Sequence, residues 1–220
     1  MKSRKQGLRW TAGVAAWLVL GACGAAGLGG CQTSASSQIA AVEQRNSAEQ
    51  IQKAASLVRD AQRLELAKDT PGAIAKYKEA IETYNELPVA WNNLGRLLMQ
   101  NGDNLMAAEA FKQASELSPS DPVPVHNLGA LWESLGYLGD ASKWYDQALQ
   151  RDPQYLPSLR RFLLVKDLNS DRDAIVGDRL KTALLLETDP WWINRFKRMH
   201  QLYEETMTPR SGVAGAGSPK

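Results

Sequence analysis

The sequence predicts an all-α protein in which helical hairpins stack side by side into a short array. Three observations lead to this prediction: the middle of the chain repeats with a fixed period, small residues recur at fixed places in each period, and prolines stand where helices should begin and end. The composition, with 44% hydrophobic and 23% charged residues, is that of an ordinary globular protein. A single hairpin of this length cannot bury its apolar face, so neighbouring hairpins must cover it.

Residues 1–30 differ from the rest of the chain. They open with the basic stretch MKSRKQGLR, continue as an apolar run, and lead into LGGC, which ends at Cys31; a second match, LGAC, ends at Cys23. Both tetrapeptides resemble the lipobox of bacterial lipoproteins, in which an aliphatic and two small residues precede the cysteine that is lipidated and becomes the mature N-terminus. The resemblance implies a lipoprotein-type signal peptide over 1–30 and an N-terminal lipid that anchors the protein to a membrane.

Two alternatives concern this leader. We predict lipidation of Cys31, because the polar stretch QTSASSQ that follows it suits a tether, and Cys23 is the alternative. An uncleaved membrane anchor is the alternative to a signal peptide, although the glycines of the run suit a short leader better than a permanent helix. Gln32 stands where an aspartate often marks inner-membrane retention in such lipoproteins. We therefore expect the outer membrane, facing the periplasm, with the inner membrane as the other option.

The repeat is clearest when 88–121 is aligned with 122–155. The aligned columns pair Leu94 with Leu128, Gly95 with Gly129, Gly102 with Gly136, Ala107 with Ala141, Phe111 with Tyr145, Ala114 with Ala148, and Pro119 with Pro153. A third unit, 54–87, places Ala61, Ala73, Tyr77 and Ala80 in the glycine, alanine, aromatic and alanine columns. Residues 31–53, before the array, are predicted to form the tether and an N-terminal helix.

Helix packing explains why these columns exist. The glycines of the first helix and the alanines of the second allow the two helices of a hairpin to approach closely, while Phe111 and Tyr145 are expected to fill the gap toward the next unit. Thr70-Pro71 and Asp121-Pro122 predict helix starts, with the polar residue as the N-cap and proline in the first turn.

The columns resemble those of the tetratricopeptide repeat (TPR) family. The unit at 88–121 fits the family pattern throughout, with Trp91, Leu94, Gly95, Leu98, Ala107, Phe111, Ala114 and Pro119. The unit at 122–155 departs mildly, and that at 54–87 is the weakest. The resemblance implies a short right-handed TPR solenoid of about three to four helical hairpins. It also implies binding of a protein or peptide partner, since TPR proteins mainly mediate protein–protein contacts.

The chain after residue 155 continues the array less regularly. LPSLRRFLLVKDL predicts a further first helix in phase, but a second helix near 174–187 fits only with one inserted residue. Asp189-Pro190 then starts a last helix whose apolar residues share one face: Trp192, Phe196, Met199 and Tyr203. We interpret 156–205 as a degenerate unit with a C-terminal capping helix, and a ligand-binding role for Trp191-Trp192 is the alternative. Residues 206–220 are predicted to be a disordered tail.

Composition also limits the function. No segment is basic enough for a nucleic-acid footprint, and the net charge is only +2. Both cysteines precede residue 32, and the two histidines, His126 and His200, are not in a metal-ligand spacing. His126 is expected to face the groove or solvent. We therefore predict no enzyme activity, cofactor or metal site.

The predicted binding site lies along the first helices, which line the concave groove in TPR proteins. Two residues before the glycine column, the first helices carry Arg59, Asn93, Asn127 and, in the degenerate unit, Arg161; Arg96 lies one turn after Asn93. The asparagines resemble the ladders by which some TPR superhelices grip a peptide backbone, and the arginines would favour carboxylates. In the alternative interpretation the asparagines only meet water.

These observations predict a lipid-anchored periplasmic adaptor that binds a protein partner in its groove. The alternative is a structural subunit of a cell-envelope assembly machine, similar to the TPR lipoproteins of pilus or outer-membrane-protein biogenesis. The identity of the partner and the oligomeric state remain open at this point.

Overall fold

The computed structural model describes residues 31–207. The leader 1–30, with Cys23, and residues 208–220 of the predicted tail lie outside the described part. The described residues divide into two units, with the boundary between Gln44 and Arg45. The described residues of the first unit, 31–44, belong to the beginning of helix α1, and the repeat array belongs to the second unit.

Nine α-helices and no strand make up the regular structure of residues 31–207. They are α1 (Cys31–Leu66), α2 (Thr70–Thr83), α3 (Pro88–Asn101), α4 (Asn104–Leu117), α5 (Val123–Ser134), α6 (Leu138–Arg151), α7 (Leu156–Leu168), α8 (Ala174–Leu186) and α9 (Pro190–Met207). The predicted all-α array of hairpins is confirmed. Helix α1 begins at Cys31, so the segment predicted as tether and N-terminal helix is helical throughout.

Each hairpin turns at the same column of the repeat. Lys68, Gly102, Gly136 and Ser170 follow one another at the repeat period and are the four residues of 31–207 with clearly positive φ, at 61°, 87°, 83° and 57°. At each turn the next backbone N–H donates to the carbonyl five residues earlier, at 2.9 Å. This bond satisfies a backbone carbonyl near the end of the first helix that has no partner within the helix. The unit predicted to be degenerate therefore keeps the turn of the regular ones.

The helix starts are displaced by one residue from the predicted caps. Helix α2 begins at Thr70 itself, and Asp69 is its N-cap, with a carboxylate that accepts from the N–H of Gly72 at 3.0 Å. The prediction of Thr70 as the cap is wrong, because the carboxylate one residue earlier reaches the free N–H groups of the first turn. Asp121 accepts from the N–H of Val123 at 2.9 Å, beside the start of α5.

The core fills the space between a layer of first helices (α1, α3, α5, α7 and α9) and a layer of second helices (α2, α4, α6 and α8). A Cβ added at Gly95 would lie 2.8 Å from the ring of Phe111, and one at Gly129 would lie 2.6 Å from that of Tyr145. Both rings are fully buried, and each also joins an apolar cluster that extends into the next unit. The small residues therefore set the helix separation as predicted.

The end of the array follows the same register. Three of the four buried residues of α8 follow buried residues of α6 by one period plus one residue, which corresponds to the predicted single insertion. They are Val176, Leu180 and Ala183, which follow Ala141, Tyr145 and Ala148. Helix α9 begins at Pro190, one full period after the start of α7 at Leu156, and thus occupies the place of another first helix. It buries Phe196 and Met199, whereas Lys197, Arg198 and Gln201 are exposed. The predicted capping helix is confirmed, with a polar outer face.

Candidate protein-binding surface

The first-helix face is the surface that carries the predicted site residues, and neighbouring first helices contact one another along it. Arg59 is exposed on α1, Asn93 and Arg96 lie on α3, Asn127 on α5 and Arg161 on α7. Asn93 and Arg96 share an open cleft of about 380 Å³ with α1 side chains that include Gln62, Glu65 and Leu66. The structure therefore brings two of the five predicted residues into one cleft and spaces the others along the array.

An acid of the preceding unit pairs with Arg96. The Arg96 guanidinium donates to one oxygen of Glu65, and the phenol of Tyr77 donates to the other at 2.5 Å. Burial, together with this bond to Glu65, raises the pKa of Tyr77 above its ordinary value. Glu65 therefore ties together α1, α2 and α3.

The same arrangement recurs two units later around Arg161. Its guanidinium forms a bidentate salt bridge with Glu133, in which Nε lies 2.9 Å from one carboxylate oxygen. The phenol of Tyr145 donates to that oxygen at 2.6 Å, and burial raises the pKa of this phenol too. Glu133 follows Glu65 by two repeat periods.

A third pair of this kind connects α7 with α9, and the sequence analysis did not identify it. Arg195 donates to Asp167 at 3.1 Å, and Arg172 donates to the other oxygen of Asp167 at 2.9 Å. Arg195 and Asp167 each follow their counterparts, Arg161 and Glu133, by one repeat period. The sequence could have indicated this pair, because an acid and an arginine stand one repeat period after Glu133 and Arg161.

The junction between α3 and α5 is different, because its polar contact is uncharged. Met99 occupies the column of Glu65 and Glu133 there, and the amide of Asn127 donates to the side-chain oxygen of Asn92 at 2.8 Å. Asn93 and Asn127 are both half-buried. The Asn127 amide has more donor and acceptor positions than this single bond uses, and the Asn93 amide lies within hydrogen-bonding reach of the Tyr77 phenol. The middle of the first-helix face is therefore a neutral hydrogen-bonding stretch between arginine–acid pairs.

His126 is half-buried between α5, α6 and α7. Its Nδ1 is 2.9 Å from the hydroxyl of the fully buried Ser158, and its ring packs against Tyr145 and Tyr155 at centroid distances of 5.2 and 5.5 Å. Burial, with a smaller contribution from Arg161, lowers the pKa of His126 to about 4. His126 was expected to face the groove or solvent; the tyrosines of α6 and the following turn cover part of its ring.

The tryptophan pair of α9 is held by charged neighbours. Trp191 is 59% exposed, and its ring centroid lies 4.8 Å from that of Trp192. Arg160 stacks over Trp192 at 5.1 Å and forms two hydrogen bonds of 2.8 Å with the buried Glu187, which hold the pKa of Glu187 below its ordinary value. Trp192 therefore helps to fix the cap against α7.

The described residues 31–207 contain neither a metal-binding cluster nor a helix suited to crossing a membrane. They contain no group of three or more histidine, cysteine, aspartate or glutamate side chains placed to hold a metal ion. No helix in this part of the chain combines the length and apolar character needed to cross a membrane.

Comparison with known proteins agrees with this architecture. Residues 88–121 match the family model described as a tetratricopeptide repeat. This unit is therefore similar to a tetratricopeptide repeat over its full length. The TPR solenoid is also the fold of solved structures: a thermophilic TPR protein of Thermus thermophilus superposes with a TM-score of 0.52 at 22% identity, over 70% of this chain and 82% of that one. The predicted TPR solenoid is thereby confirmed.

A second solved structure carries a ligand. The first TPR of Spaghetti (RPAP3), bound to the HSP90 peptide SRMEEVD, superposes with a TM-score of 0.51 at 19% identity, over 54% of this chain and 94% of that one. At this identity, the likeness establishes the shared fold only.

Curated relatives match over shorter stretches. The chain is 28% identical over 90 residues to the photosystem I assembly protein Ycf3 of Synechococcus sp. (strain CC9605), which covers 36% of this chain and 52% of Ycf3. It is 29% identical over 86 residues to tetratricopeptide repeat protein 37 of Xenopus laevis, over 37% of this chain and 6% of that protein. The chain thus spans about half of Ycf3 and a small part of the Xenopus protein.

Proposed function

We propose that this chain is a lipid-anchored adaptor of the bacterial cell envelope that binds an extended segment of a protein partner on the first-helix face. The observation that carries the proposal is the uncharged contact between Asn92 and Asn127, which lies between junctions closed by arginine–acid pairs. Asn93 lies next to this contact and lines the cleft beside Arg96. An asparagine amide both donates and accepts, so it can pair with a peptide backbone whatever the side chains of that peptide are. Packed helices lie about 8–10 Å apart, which corresponds to roughly three residues of extended chain.

The flanking arginines would add a preference for acidic side chains. The Arg96 and Arg161 side chains keep 41% and 44% of their surface exposed despite their pairs with Glu65 and Glu133. A guanidinium has more N–H donors than one carboxylate occupies, so a partner carboxylate can bind the remaining ones. The acidic HSP90 peptide bound by the Spaghetti TPR supports this type of ligand.

The test is the double variant Asn93→Ala and Asn127→Ala. Alanine is the better helix former but removes the hydrogen bond between Asn127 and Asn92, so the melting temperature should change little. Each lost set of hydrogen bonds to the partner should cost on the order of 1 kcal/mol of binding free energy. The full-length wild type and the double variant are each used to capture proteins from bacterial membranes. The amount of each captured protein is then compared by mass spectrometry. Asn194→Ala, at an exposed position of α9, is the matched control and should leave capture unchanged.

Two outcomes would contradict this binding mode. Unchanged capture by the folded double variant would exclude the first-helix face as the binding site. A stoichiometric complex that resists high salt and is insensitive to the asparagines would instead favour a structural subunit of an envelope machine.

The anchor is tested separately. Expressed in bacteria, the protein should incorporate labelled palmitate and fractionate with the outer membrane; Cys31→Ser should abolish labelling and Cys23→Ser should not. The reverse result would move the site to Cys23. Labelling of neither cysteine would overturn the lipid anchor while leaving the binding surface untouched.

A further inference from the structure

The second-helix layer contains an apolar pocket that the binding mode above does not use. It lies between α2 and α4, has a volume of about 280 Å³, and has α3 as its floor. Its apolar lining consists of Ile81, Trp91, Leu94, Leu98, Met106 and Ala110. Met106 is 48% exposed at the entrance, and Leu105 beside it is 86% exposed.

The repeat itself shows what fills such a groove. Ala110 on α4 lines the pocket, and the residue one period later, on α6, is Trp144. Trp144 is partly buried against the apolar cluster that includes Ala107 and Phe111 of α4 and Leu128 of α5. One unit therefore packs an indole against the preceding second helix, and the unit before it has alanine in that column.

The size and rim of the pocket also suit an aromatic group. A cavity of about 150 Å³ accepts a benzene ring, so a volume of about 280 Å³ has room for the bicyclic ring of tryptophan. The rim carries Glu82 and Glu109 against a single base, Lys78. An acidic rim around an apolar floor favours a tryptophan with a basic neighbour, and tryptophan is the residue most enriched among binding hot spots.

We propose that this pocket is a second binding site, which receives a tryptophan side chain next to a basic residue of a protein partner. Such a site would act on the opposite helix layer from the first-helix face, so one adaptor could hold two segments of a partner at once. Linked segments raise the overall affinity through effective concentration without any new contact.

The probe is the peptide acetyl-Gly-Trp-Lys-Gly-amide, with acetyl-Gly-Ala-Lys-Gly-amide as its control. It is titrated into the full mature chain with labelled methionine methyl groups, and the Met106 signal is followed by NMR. We expect a saturable shift with a millimolar Kd, at least about tenfold weaker for the alanine peptide. No saturable shift, or equal shifts for both peptides, would overturn the proposal.

Variants separate this site from the first-helix face. Ala110→Trp places an indole where the next unit carries Trp144 and should weaken binding of the probe at least about tenfold; if that variant does not fold, Ala110→Leu fills the pocket in part. Asn93→Ala with Asn127→Ala should leave probe binding unchanged, so failure of one site is distinguishable from failure of the other. If a folded variant with a larger side chain at position 110 bound the probe as tightly as the wild type does, the pocket would not be the binding site.

A second copy of the chain is the competing occupant. Trp191 is exposed, and the guanidinium of Arg195 lies 6.0 Å from its ring centroid, so this chain itself carries a tryptophan with a basic neighbour. Self-association that depends on concentration, and that Trp191→Ala abolishes, would overturn the assignment to a separate partner. A monomer at all concentrations supports it.

Discussion

The phenol of Tyr145 donates a hydrogen bond of 2.6 Å to the carboxylate of Glu133 and thereby joins the two helices of one hairpin. Glu133 also accepts from Arg161 of the following unit, so a single carboxylate ties three helices together. Its side chain is only 15% exposed, which leaves water few opportunities to replace a lost partner.

Tyr145→Phe should therefore lower the free energy of unfolding by about 1–2 kcal/mol, because Glu133 loses a donor inside the structure. Urea unfolding followed by circular dichroism measures the change. Tyr84→Phe is the matched control: its phenol donates to Glu86 at 3.0 Å in an exposed pair, so its removal should change stability by less than about 0.5 kcal/mol. Equal effects of the two substitutions would show that the buried pair adds nothing.

Acid should weaken the array through His126. The pKa of about 4 in the folded chain lies below the ordinary value of 6.5, so the neutral imidazole is the form that folding favours. The resulting stability is complete above pH 6.5 and is lost as the pH falls toward 4. Between pH 7.5 and 5 this amounts to about 2 kcal/mol of unfolding free energy, measured by urea unfolding at each pH.

The matched variant for this effect is His126→Asn. The preceding repeat carries Asn92 at this position, so the backbone accepts asparagine, and an amide does not titrate. The difference between wild type and variant isolates His126 from the carboxylates and from His200. Parallel pH profiles for the two proteins would refute the assignment.

Helix α9 should hold the end of the array through Phe196. Phe196→Ala removes a fully buried ring and should lower the free energy of unfolding by about 3–5 kcal/mol. Trp191→Ala, at a residue that is 59% exposed, is the control and should cost less than about 1 kcal/mol. Thermal unfolding of the two variants side by side tests the order, and a larger loss for Trp191→Ala would contradict the cap.

The fold was predictable because the contacts that define it are local and recur in each unit. Gly95 and Phe111 lie on the two helices of one hairpin, close together in the sequence, and the same pair recurs as Gly129 and Tyr145, so the packing of one unit predicts that of the next. The turn at Ser170 has no glycine to mark it, and only its distance from Gly136 indicates it.

The candidate site was less predictable, because its polar contacts cross between units. Arg96 and Arg161 stood out as cations on the first helices, but their acids lie on neighbouring first helices, nearly a full repeat unit away in the sequence. Which rotamer brings Glu65 within reach of Arg96 depends on how the two helices lie side by side. The contact of His126 with Tyr155 was likewise not predictable from the repeat, because the preceding unit has the same turn but carries Asp121 in the tyrosine position.

The hairpin turn recurs at Lys68, Gly102, Gly136 and Ser170. The array can therefore be lengthened by whole repeat units. An extra copy of residues 88–121 placed after Asp121 would present the same helix ends and the same small-residue columns to its neighbours. Contacting residues in such an array are close together in the sequence, so a longer array would fold through the same kind of local contacts. Because the insertion falls between Asn93 and Asn127, it would also lengthen the first-helix face by one unit, so the length of partner segment that this face accommodates becomes a measurable quantity.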